Sequence, residues 1–346
     1  MSPNNFSGET PEGPHVPKSW RGVTPTSEEL TAIIRDHAAW VNDGFQGDPP
    51  HDLKGVIIGH YSCGGADFRR ANLRNSDFSR TILTCANFQG ADLGGCSFSG
   101  VDLSGANFLE VSMVDARFQS TNLHRSRFNG ADLQHTTFFS SRLTGTFFND
   151  ANLLKSKFTK CKLSGAFFNN AKMPYAVIKT SICERTNFNG TILAYSKIIS
   201  CDLDKNDFRR SNLQGAIIRN SDITSPTYNR KITFIGINLA ECSGSQLFKS
   251  FARHQSFLEE LRTASKVKKI LFYIWNIFAD CGRTPWYWIG WSSGFCLLFG
   301  YLYFHMVGAS GFRGLECLNF TFWRMIYLRL LHKDAQVLQI ALLVLG

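Results

Sequence analysis

The stretch ADLGGCSFSGVDLSGANF, residues 91–108, repeats a pattern every five residues. Its large apolar residues are Leu93, Phe98, Leu103 and Phe108, and the residue two places before each of them is small. A helix repeats about every 3.6 residues and a strand about every two, so neither explains this period. A backbone that turns a corner once per repeat does explain it, if each repeat directs one large and one small side chain inward.

The pattern continues far beyond this stretch. Counting in fives from Phe68 to Ile223 gives 32 positions, and each holds Phe, Leu, Ile, Met or Cys. The position two residues earlier holds Ala, Ser, Thr, Cys or Val in 31 of the 32 repeats, and Asn206 is the exception. The other positions are mostly polar, which predicts that they face solvent. A fixed repeat of this kind indicates a stacked, solenoid-like architecture.

The number of sides in one coil follows from the phenylalanines. One unbroken column at a spacing of 20 residues is predicted to line the core: Phe68, Phe88, Phe108, Phe128, Phe148, Phe168, Phe188 and Phe208. A second column begins at Phe78 and changes to isoleucine at Ile178. Because one column changes while the other persists, they are separate walls, and a coil has four sides. With about 4.8 Å between stacked coils, about eight coils give a rod of roughly 40 Å.

This register resembles the pentapeptide-repeat family, whose unit is A(D/N)LXX. The stretches ADFRRANLRNSDF (66–78) and GADLQ (130–134) match that unit closely, and the resemblance covers residues 51 to about 225. It implies an all-β right-handed quadrilateral β-helix with flanking α-helices. A single coil cannot bury its own core, so the stability of such a rod is a sum over neighbouring coils.

Both ends of the rod require caps, since an open solenoid exposes its last coil. Thr26 and Glu29 predict a capping box that begins a helix ending at Gly44. A second amphipathic helix is predicted around 245–262, with Leu247, Phe251, Leu258 and Leu261 on one face. The predicted domains are a disordered polar N-terminus (1–25), a capping helix (26–50), the solenoid (51–228) and a linker with amphipathic helices (229–284).

The segment 286–307, WYWIGWSSGFCLLFGYLYFHMV, carries no formal charge, and aromatic residues stand at its ends. It predicts a transmembrane helix over 285–308, followed by an interfacial helix and an incomplete apolar C-terminus over 309–346. Lys and Arg precede the span, which predicts that the solenoid side is cytoplasmic. We therefore expect the chain at a bacterial inner membrane, with the solenoid facing the cytoplasm.

The C-terminal segments FARHQSFLEELR and DCGRTPWYWIGWSSGFCLLFGYLYF resemble the tail of bacterial pentapeptide-repeat proteins that carry a channel-like membrane module. The resemblance implies two spans around a pore loop of the TxGYG kind. This sequence has LNFTFW near the corresponding place, without the glycines. Potassium selectivity requires the backbone carbonyls of such a loop, so the sequence predicts membrane attachment without a pore of its own.

No pattern in the sequence predicts catalysis. The ten cysteines form no CxxC pair, and five of them occupy inward positions of the repeat: Cys63, Cys96, Cys161, Cys183 and Cys201. The nine histidines show no ligand spacing, and there is no GxGxxG, P-loop or GxSxG motif. Asp and Asn beside the large residues are explained by turn and ladder hydrogen bonds. We therefore expect no catalytic, metal or cofactor site and no small-molecule substrate.

The charge distribution indicates a contact surface. The formal net charge is +10, and residues 142–197 hold nine Lys or Arg against two Asp or Glu, whereas residues 66–141 hold seven of each. A basic band with two exposed, stacked phenylalanines is a candidate interaction site. The predicted surface comprises Arg142, Phe147, Lys155, Lys157, Lys160, Lys162, Phe167 and Lys197.

The sign of this charge restricts the partners. Some pentapeptide-repeat proteins imitate duplex DNA, which requires an acidic rod, so a basic rod argues against that activity. Nucleic-acid binding suits the sign, but the band is short and the chain is predicted to be tethered. An acidic protein or an anionic lipid surface is the expected partner, and self-association stays open.

Three functions remain open from the sequence. The first is a non-enzymatic, membrane-anchored scaffold that presents a rigid solenoid. The second is the regulatory part of a channel-like membrane assembly. The third is a soluble pentapeptide-repeat binding protein whose C-terminal helices only cap the rod.

Overall fold

A computed structural model of the chain describes residues 18–263. The predictions for 1–17 and 264–346, among them the transmembrane helix 285–308 and the interfacial helix, fall outside these residues. Within 18–263, none of the helices combines the length and the apolar character needed to cross a bilayer.

The described residues form short strands between two helices. In chain order the elements are β1 (Lys18–Ser19), α1 (Ser27–Asn42), β2 (His51–Asp52), β3 (Ser97–Ser99), β4 (Arg117–Gln119), β5 (Thr137–Phe139), β6 (Lys157–Thr159), β7 (Val177–Lys179), β8 (Lys197–Ile199), β9 (Ile217–Arg219), β10 (Asp222–Ile223), β11 (Ser243–Gly244) and α2 (Gln246–Thr263).

The solenoid is built by parallel pairing between successive coils. From Ile57–Asp77 to Asp207–Thr227, the bridges join residues that are 20 positions apart. One side of the coil forms a regular seven-stranded parallel sheet, β3 to β9 in order. The pairing confirms the predicted four-sided coil, because four five-residue sides account for each 20-residue step.

The four faces of the rod are numbered in chain order by the columns at their centres: face 1 from Phe68 to Phe208, face 2 from Leu73 to Leu213, face 3 from Phe78 to Ile218, and face 4 from Leu83 to Ile223. On each side the central residue points inward, and its two neighbours lie on the outer surface. The next residue forms the corner, with a left-handed backbone at Lys155 (φ 56°) and Tyr195 (φ 58°) as examples. Faces 1 and 3 are opposite each other.

Phenylalanine rings fill the inside of the rod. On face 1 the rings of Phe108 and Phe128 stack with centroids 4.6 Å apart and planes within 8°. Rings of the opposite walls meet edge to face, as between Phe148 and Phe158 at 6.0 Å. All four rings are fully buried. Each buried ring contributes about 1.5–3 kcal/mol through the hydrophobic effect, and each ring pair about 0.5–1.5 kcal/mol more.

The small inward position supplies hydrogen-bond donors as well as space. The Thr146 hydroxyl donates to the carbonyl of Leu123 at 2.8 Å, in the coil before it, and the Cys96 thiol bonds in the same way. Asn206, the exceptional residue, is fully buried. Its Oδ1 accepts the Thr186 N–H at 2.8 Å, and its Nδ2 is buried without a hydrogen-bond partner. The position therefore favours Ser, Thr and Cys, which can satisfy themselves against the backbone.

The N-terminal segment is part of the fold where the structure describes it. β1 pairs in parallel with β2, and the Trp20 N–H donates to the Asp52 carbonyl at 3.1 Å. Trp20 is 3% exposed. The prediction of disorder over 1–25 is therefore wrong for residues 18–25. The edge of the first coil provides backbone partners, and burial of the indole stabilises the pairing.

Helix α1 covers the start of the solenoid. The Thr26 hydroxyl accepts the N–H of Glu29 at 3.2 Å, and the Glu29 carboxylate accepts the N–H of Thr26 at 2.9 Å. This confirms the predicted capping box. The helix ends at Asn42, and Gly44 follows with φ 76°. The buried residues of the helix are Leu30, Ile33, His37 and Val41.

The solenoid continues past the predicted boundary at 228. Bridges Asn212–Thr233 and Ile217–Asn238 join residues 21 positions apart, and β10 pairs with β11. The linker prediction is therefore wrong for residues 229–244. One residue is inserted after Thr227, so the five-residue register is lost while the coil-to-coil pairing persists.

Helix α2 covers the end of the solenoid. Phe248 is fully buried, and its ring lies 6.2 Å from that of Phe208. Ala252 is also fully buried, whereas Leu247 is 78% exposed. The predicted apolar face is therefore wrong at Leu247, because the helix turns its next residue toward the last coil.

Phe128→Lys is expected to lower the free energy of unfolding by at least about 4 kcal/mol, because it places an unpaired charge between stacked rings. Thermal unfolding followed by circular dichroism measures the effect. The control is Gln119→Lys at an exposed position of β4, which should change stability by less than about 0.5 kcal/mol. Equal melting of the two variants would contradict the inward assignment of Phe128.

The start of the solenoid should weaken in acid. His37 is 1% exposed and donates from Nε2 to the Arg69 carbonyl at 3.0 Å. Burial lowers the pKa of His37 from 6.5, although this hydrogen bond opposes the shift. The unfolded state therefore binds the proton first, so the stabilisation is complete above about pH 6.5 and is lost as the pH falls below that value.

His37→Gln keeps an N–H donor and removes the titration. Amide hydrogen exchange of α1, compared at about pH 7 and about pH 5, should show a smaller acid-induced loss of protection in this variant than in the natural chain. Identical losses in both chains would show that His37 does not cause the acid sensitivity.

Candidate contact surface on the solenoid

The structure brings five of the predicted cations close to face 3. Lys157 is an exposed residue of β6, and Lys197 stands in the same outward column two coils later. Lys155 and Lys160 are corner residues on either side of β6. Lys162 lies just beyond the second corner, on face 4. These side chains border one side of the rod.

The remaining predicted residues lie elsewhere. Arg142 pairs with Lys162 on face 4. Phe147 and Phe167 stack with ring centroids 5.0 Å apart, as the sequence predicts. However, they lie on face 1, opposite face 3, and each is only half-exposed because its neighbour covers it. The prediction of one surface that combines these phenylalanines with the basic band is therefore wrong.

Face 3 has an unusual charge pattern. Strands β3 to β9 contain no Asp or Glu, and their outward cations are Arg117, Lys157, Lys179, Lys197 and Arg219. Face 1 differs, because Arg69 pairs with Asp67 at 2.7 Å, and Arg209 with Asp207 at 2.7 Å. Arg69 and its N–H hydrogen-bond to Asp67 and lower the pKa of this carboxyl, although partial burial opposes them. The cations of face 3 have no such carboxylate within their sheet.

The last four strands of face 3 alternate cations with uncharged residues. In β6 and β8 the first residue is the cation, and in β7 and β9 the last residue is. The strands pair in register, so the two outward columns form a checkerboard. The cations are exposed, and the alternate positions, Thr159, Val177, Ile199 and Ile217, are half-buried.

Exposed aromatic residues border this face. Tyr175 and Tyr195 stack at the corner between faces 2 and 3, with ring centroids 5.4 Å apart; they are 52% and 46% exposed. The next residue in this column is Gly215, where a Cβ would lie 2.6 Å from the Tyr195 ring. On β5, Phe139 is 43% exposed, and Lys160 Nζ lies 5.7 Å from its ring centroid.

Sequence reasoning missed these three aromatic residues, although the signal was present. Tyr175 and Tyr195 are 20 positions apart at the corner position of the repeat, so counting columns places one ring on the other. Lys179 was counted as a cation of the band, but its place in a separate column of face 3 was not used.

The polar residues of the repeat have structural roles. Asp77 Oδ1 accepts the N–H of Ser79 at 2.9 Å within its own turn. The Asn107 amide donates to Asn87 Oδ1 at 3.0 Å between coils. Through residues 18–263, no group of three or more His, Cys, Asp or Glu is placed to hold a metal ion.

The inward cysteines are not activated thiols. Burial raises the pKa of Cys63 to about 11, of Cys96 to about 12 and of Cys161 to about 11. These thiols therefore keep their protons at neutral pH, whereas a nucleophilic cysteine needs the thiolate. They act as small core residues.

Two cavities lie at the ends of the rod. One of about 220 Å³ lies beside α1 and is lined by His37, His51 and Asn72 among others. The other, of about 530 Å³, lies between α2 and the last coil, beside Ile237 and Arg253. Neither is lined by a residue of face 3, so the basic side of the rod is an open surface.

Two family models match the solenoid. The model described as a pentapeptide repeat region matches residues 91–168. The model described as pentapeptide repeats in eight copies matches residues 62–100 and 181–224. No curated protein sequence matches the chain.

Solved structures of pentapeptide-repeat proteins are similar to the chain. HetL, involved in heterocyst differentiation regulation in the cyanobacterium Nostoc, is 23% identical, with a TM-score of 0.36 over 54% of this chain and 87% of HetL. QnrB1, a plasmid-mediated fluoroquinolone resistance protein, is 17% identical, with a TM-score of 0.34 over 57% and 96%. A protein of the Arabidopsis thaliana thylakoid lumen is 25% identical, with a TM-score of 0.18 over 43% and 78%.

The family assignment depends on the two family models and on the repeat itself, which agree over the same residues. A five-residue register forms coils of 20 residues, with one large and one small side chain inward on each side. The chain therefore belongs to the pentapeptide-repeat family.

Proposed function

We propose that this chain is a non-enzymatic scaffold that presents face 3 of its solenoid to an acidic protein partner and is anchored in a membrane. The observation that carries the proposal is the charge of face 3, where seven successive strands hold five outward cations and no carboxylate. A surface of one sign steers an oppositely charged partner and fixes its register.

The construction of face 3 suits a binding role. Its strands are held to their neighbours by regular parallel pairing. The rings of Phe98, Phe118, Phe138 and Phe158 stack beneath it, and their centroids are 4.8, 4.7 and 4.8 Å apart. A surface on such a backbone loses little conformational entropy when a partner binds, so more of the contact energy is available for affinity.

The membrane part of the proposal is supported by the sequence. Residues 286–307 are uncharged, and the preceding cations are Arg262, Lys266, Lys268, Lys269 and Arg283. An apolar segment of this length spans a hydrocarbon core, and flanking cations favour the cytoplasmic side. We place the anchor in a bacterial inner membrane, with the solenoid in the cytoplasm.

Charge reversal on face 3 tests the scaffold. The full chain is crosslinked in cells beside a variant carrying Lys155→Glu and Lys157→Glu, and the captured proteins are quantified. The variant should lose its specific partners at least about tenfold, because two attractive charges become repulsive.

The control carries Arg125→Glu and Arg127→Glu. Arg125 is a corner residue like Lys155, and Arg127 is an exposed outward residue like Lys157, but they lie away from face 3. The control should keep the partners of the natural chain. Equal loss in both variants would show that net charge rather than face 3 selects the partners.

Fractions of the same cells test the anchor. Alkaline carbonate should leave the full chain in the membrane pellet, and detergent should release it. Release by carbonate alone would assign the chain to the soluble alternative. Ion flux through reconstituted vesicles would instead support the channel-like alternative.

A further inference from the structure

The cations of β6 to β9 form a regular line along the rod. Each strand carries one: Lys157, Lys179, Lys197 and Arg219. The strands pair one above another, and paired strands are about 4.8 Å apart. The four cations therefore stand at about 0, 4.8, 9.6 and 14.4 Å along the rod axis.

The line is nearly straight. Beneath face 3, successive phenylalanine rings differ in plane by only 6°, 8° and 5°. A rod with so little rotation between coils keeps its outward columns parallel to its axis, so a partner that lies along the axis meets all four cations.

The axial spacing fits the acidic residues of an α-helix. A helix rises about 1.5 Å per residue, so residues i, i+3, i+7 and i+10 lie at about 0, 4.5, 10.5 and 15 Å. Each position is within about 1 Å of a cation, and these four residues share one side of a helix. Lysine and arginine side chains are long enough to absorb such differences.

Other anionic partners fit less well. An extended peptide presents same-side residues about every 6.7 Å, so its fourth acidic residue would lie near 20 Å, about 6 Å past Arg219. Duplex DNA carries a phosphate about every 3.4 Å along each strand, and its strands curve away from a flat face. A lipid surface carries charge without an axial register.

The uncharged positions of the checkerboard suit the flanks of the same helix. Val177, Ile199 and Ile217 are half-buried beside the cations, and Tyr175 and Tyr195 form an exposed ridge along the corner. The two outward columns are about 6.6 Å apart, and a helix with its side chains is about 10–12 Å wide. One helix would therefore cover both columns and contact the ridge with apolar residues.

We infer that face 3 between β6 and β9 binds an acidic α-helix that lies along the rod axis, with Asp or Glu at i, i+3, i+7 and i+10. The inference rests on the proposed scaffold function and names the chemistry of the partner. The acidic residues pair with the four cations, and apolar residues beside them contact the tyrosine ridge.

Two synthetic peptides of equal length and composition test the inference. The helical probe places four Glu at i, i+3, i+7 and i+10, and the second probe places them at every other residue. Binding to the full chain in neutral detergent at low ionic strength is measured by fluorescence anisotropy. The helical probe should bind at least about tenfold more tightly and gain helical circular dichroism when bound.

Two variants locate the binding. Lys179→Glu with Lys197→Glu should weaken the helical probe at least about tenfold, whereas the control with Arg125→Glu and Arg127→Glu should bind it within about twofold of the natural chain. Equal affinity for both peptides would overturn the inference, as would equal weakening in both variants. Tighter binding of single-stranded DNA or of short-chain phosphatidylserine than of the helical probe would assign the face to a phosphate-bearing partner instead.

The outcome is separable from that of the scaffold proposal. If the peptides do not discriminate but the captured partners still depend on Lys155 and Lys157, only the helical partner is wrong. If the captured partners are also insensitive to these two lysines, the role of face 3 as a contact surface fails with it.

Discussion

Parallel pairing between residues 20 positions apart is the constraint on which the rest of this structure depends. It places every fifth residue on a wall of the rod and aligns that wall with the coil above, so one phenylalanine always meets another. The stacked rings and the backbone hydrogen bonds reinforce each other, since a shift of one residue would break both. Each coil is stable only between neighbours, which explains why a helix covers each end of the described solenoid.

The same constraint has costs at its corners and in its core. A left-handed backbone at residues other than glycine is uncommon, yet it recurs once per side here. The coil-to-coil hydrogen bonds offset this cost. Hydroxyls and thiols at the small position donate to carbonyls of the coil before, whereas Asn206 buries an amide that it cannot fully satisfy. The result is a rigid rod whose outer positions can vary without changing the core, and face 3 shows how such a surface acquires a charge pattern.

Most of the solenoid follows from the sequence, because its core is chosen one position at a time. The large and small positions specify the coil length, and Thr26 with Glu29 specifies the start of α1. The ends are harder to predict. The pairing of Lys18–Ser19 needs the exposed edge of a coil far along the chain, and the single inserted residue after Thr227 removes the five-residue period without ending the fold. The contact surface was predicted in part, since net charge locates the band along the chain. Only column positions show that Phe147 and Phe167 face away from it and that Tyr175 and Tyr195 border it.

A rod that advances one coil per 20 residues makes a contact surface with a built-in spacing, and the scaffold proposal and the helical partner both depend on that advance. The distance between spin labels at Gln119 and Arg219 tests it most directly. These exposed positions lie on the same outward column of face 3, five coils apart. In the full chain, with other accessible cysteines replaced by serine, pulsed electron paramagnetic resonance should give one narrow distance near about 24 Å. A two-sided coil of half the length would place the labels about 48 Å apart, and a distance near that value would contradict the account.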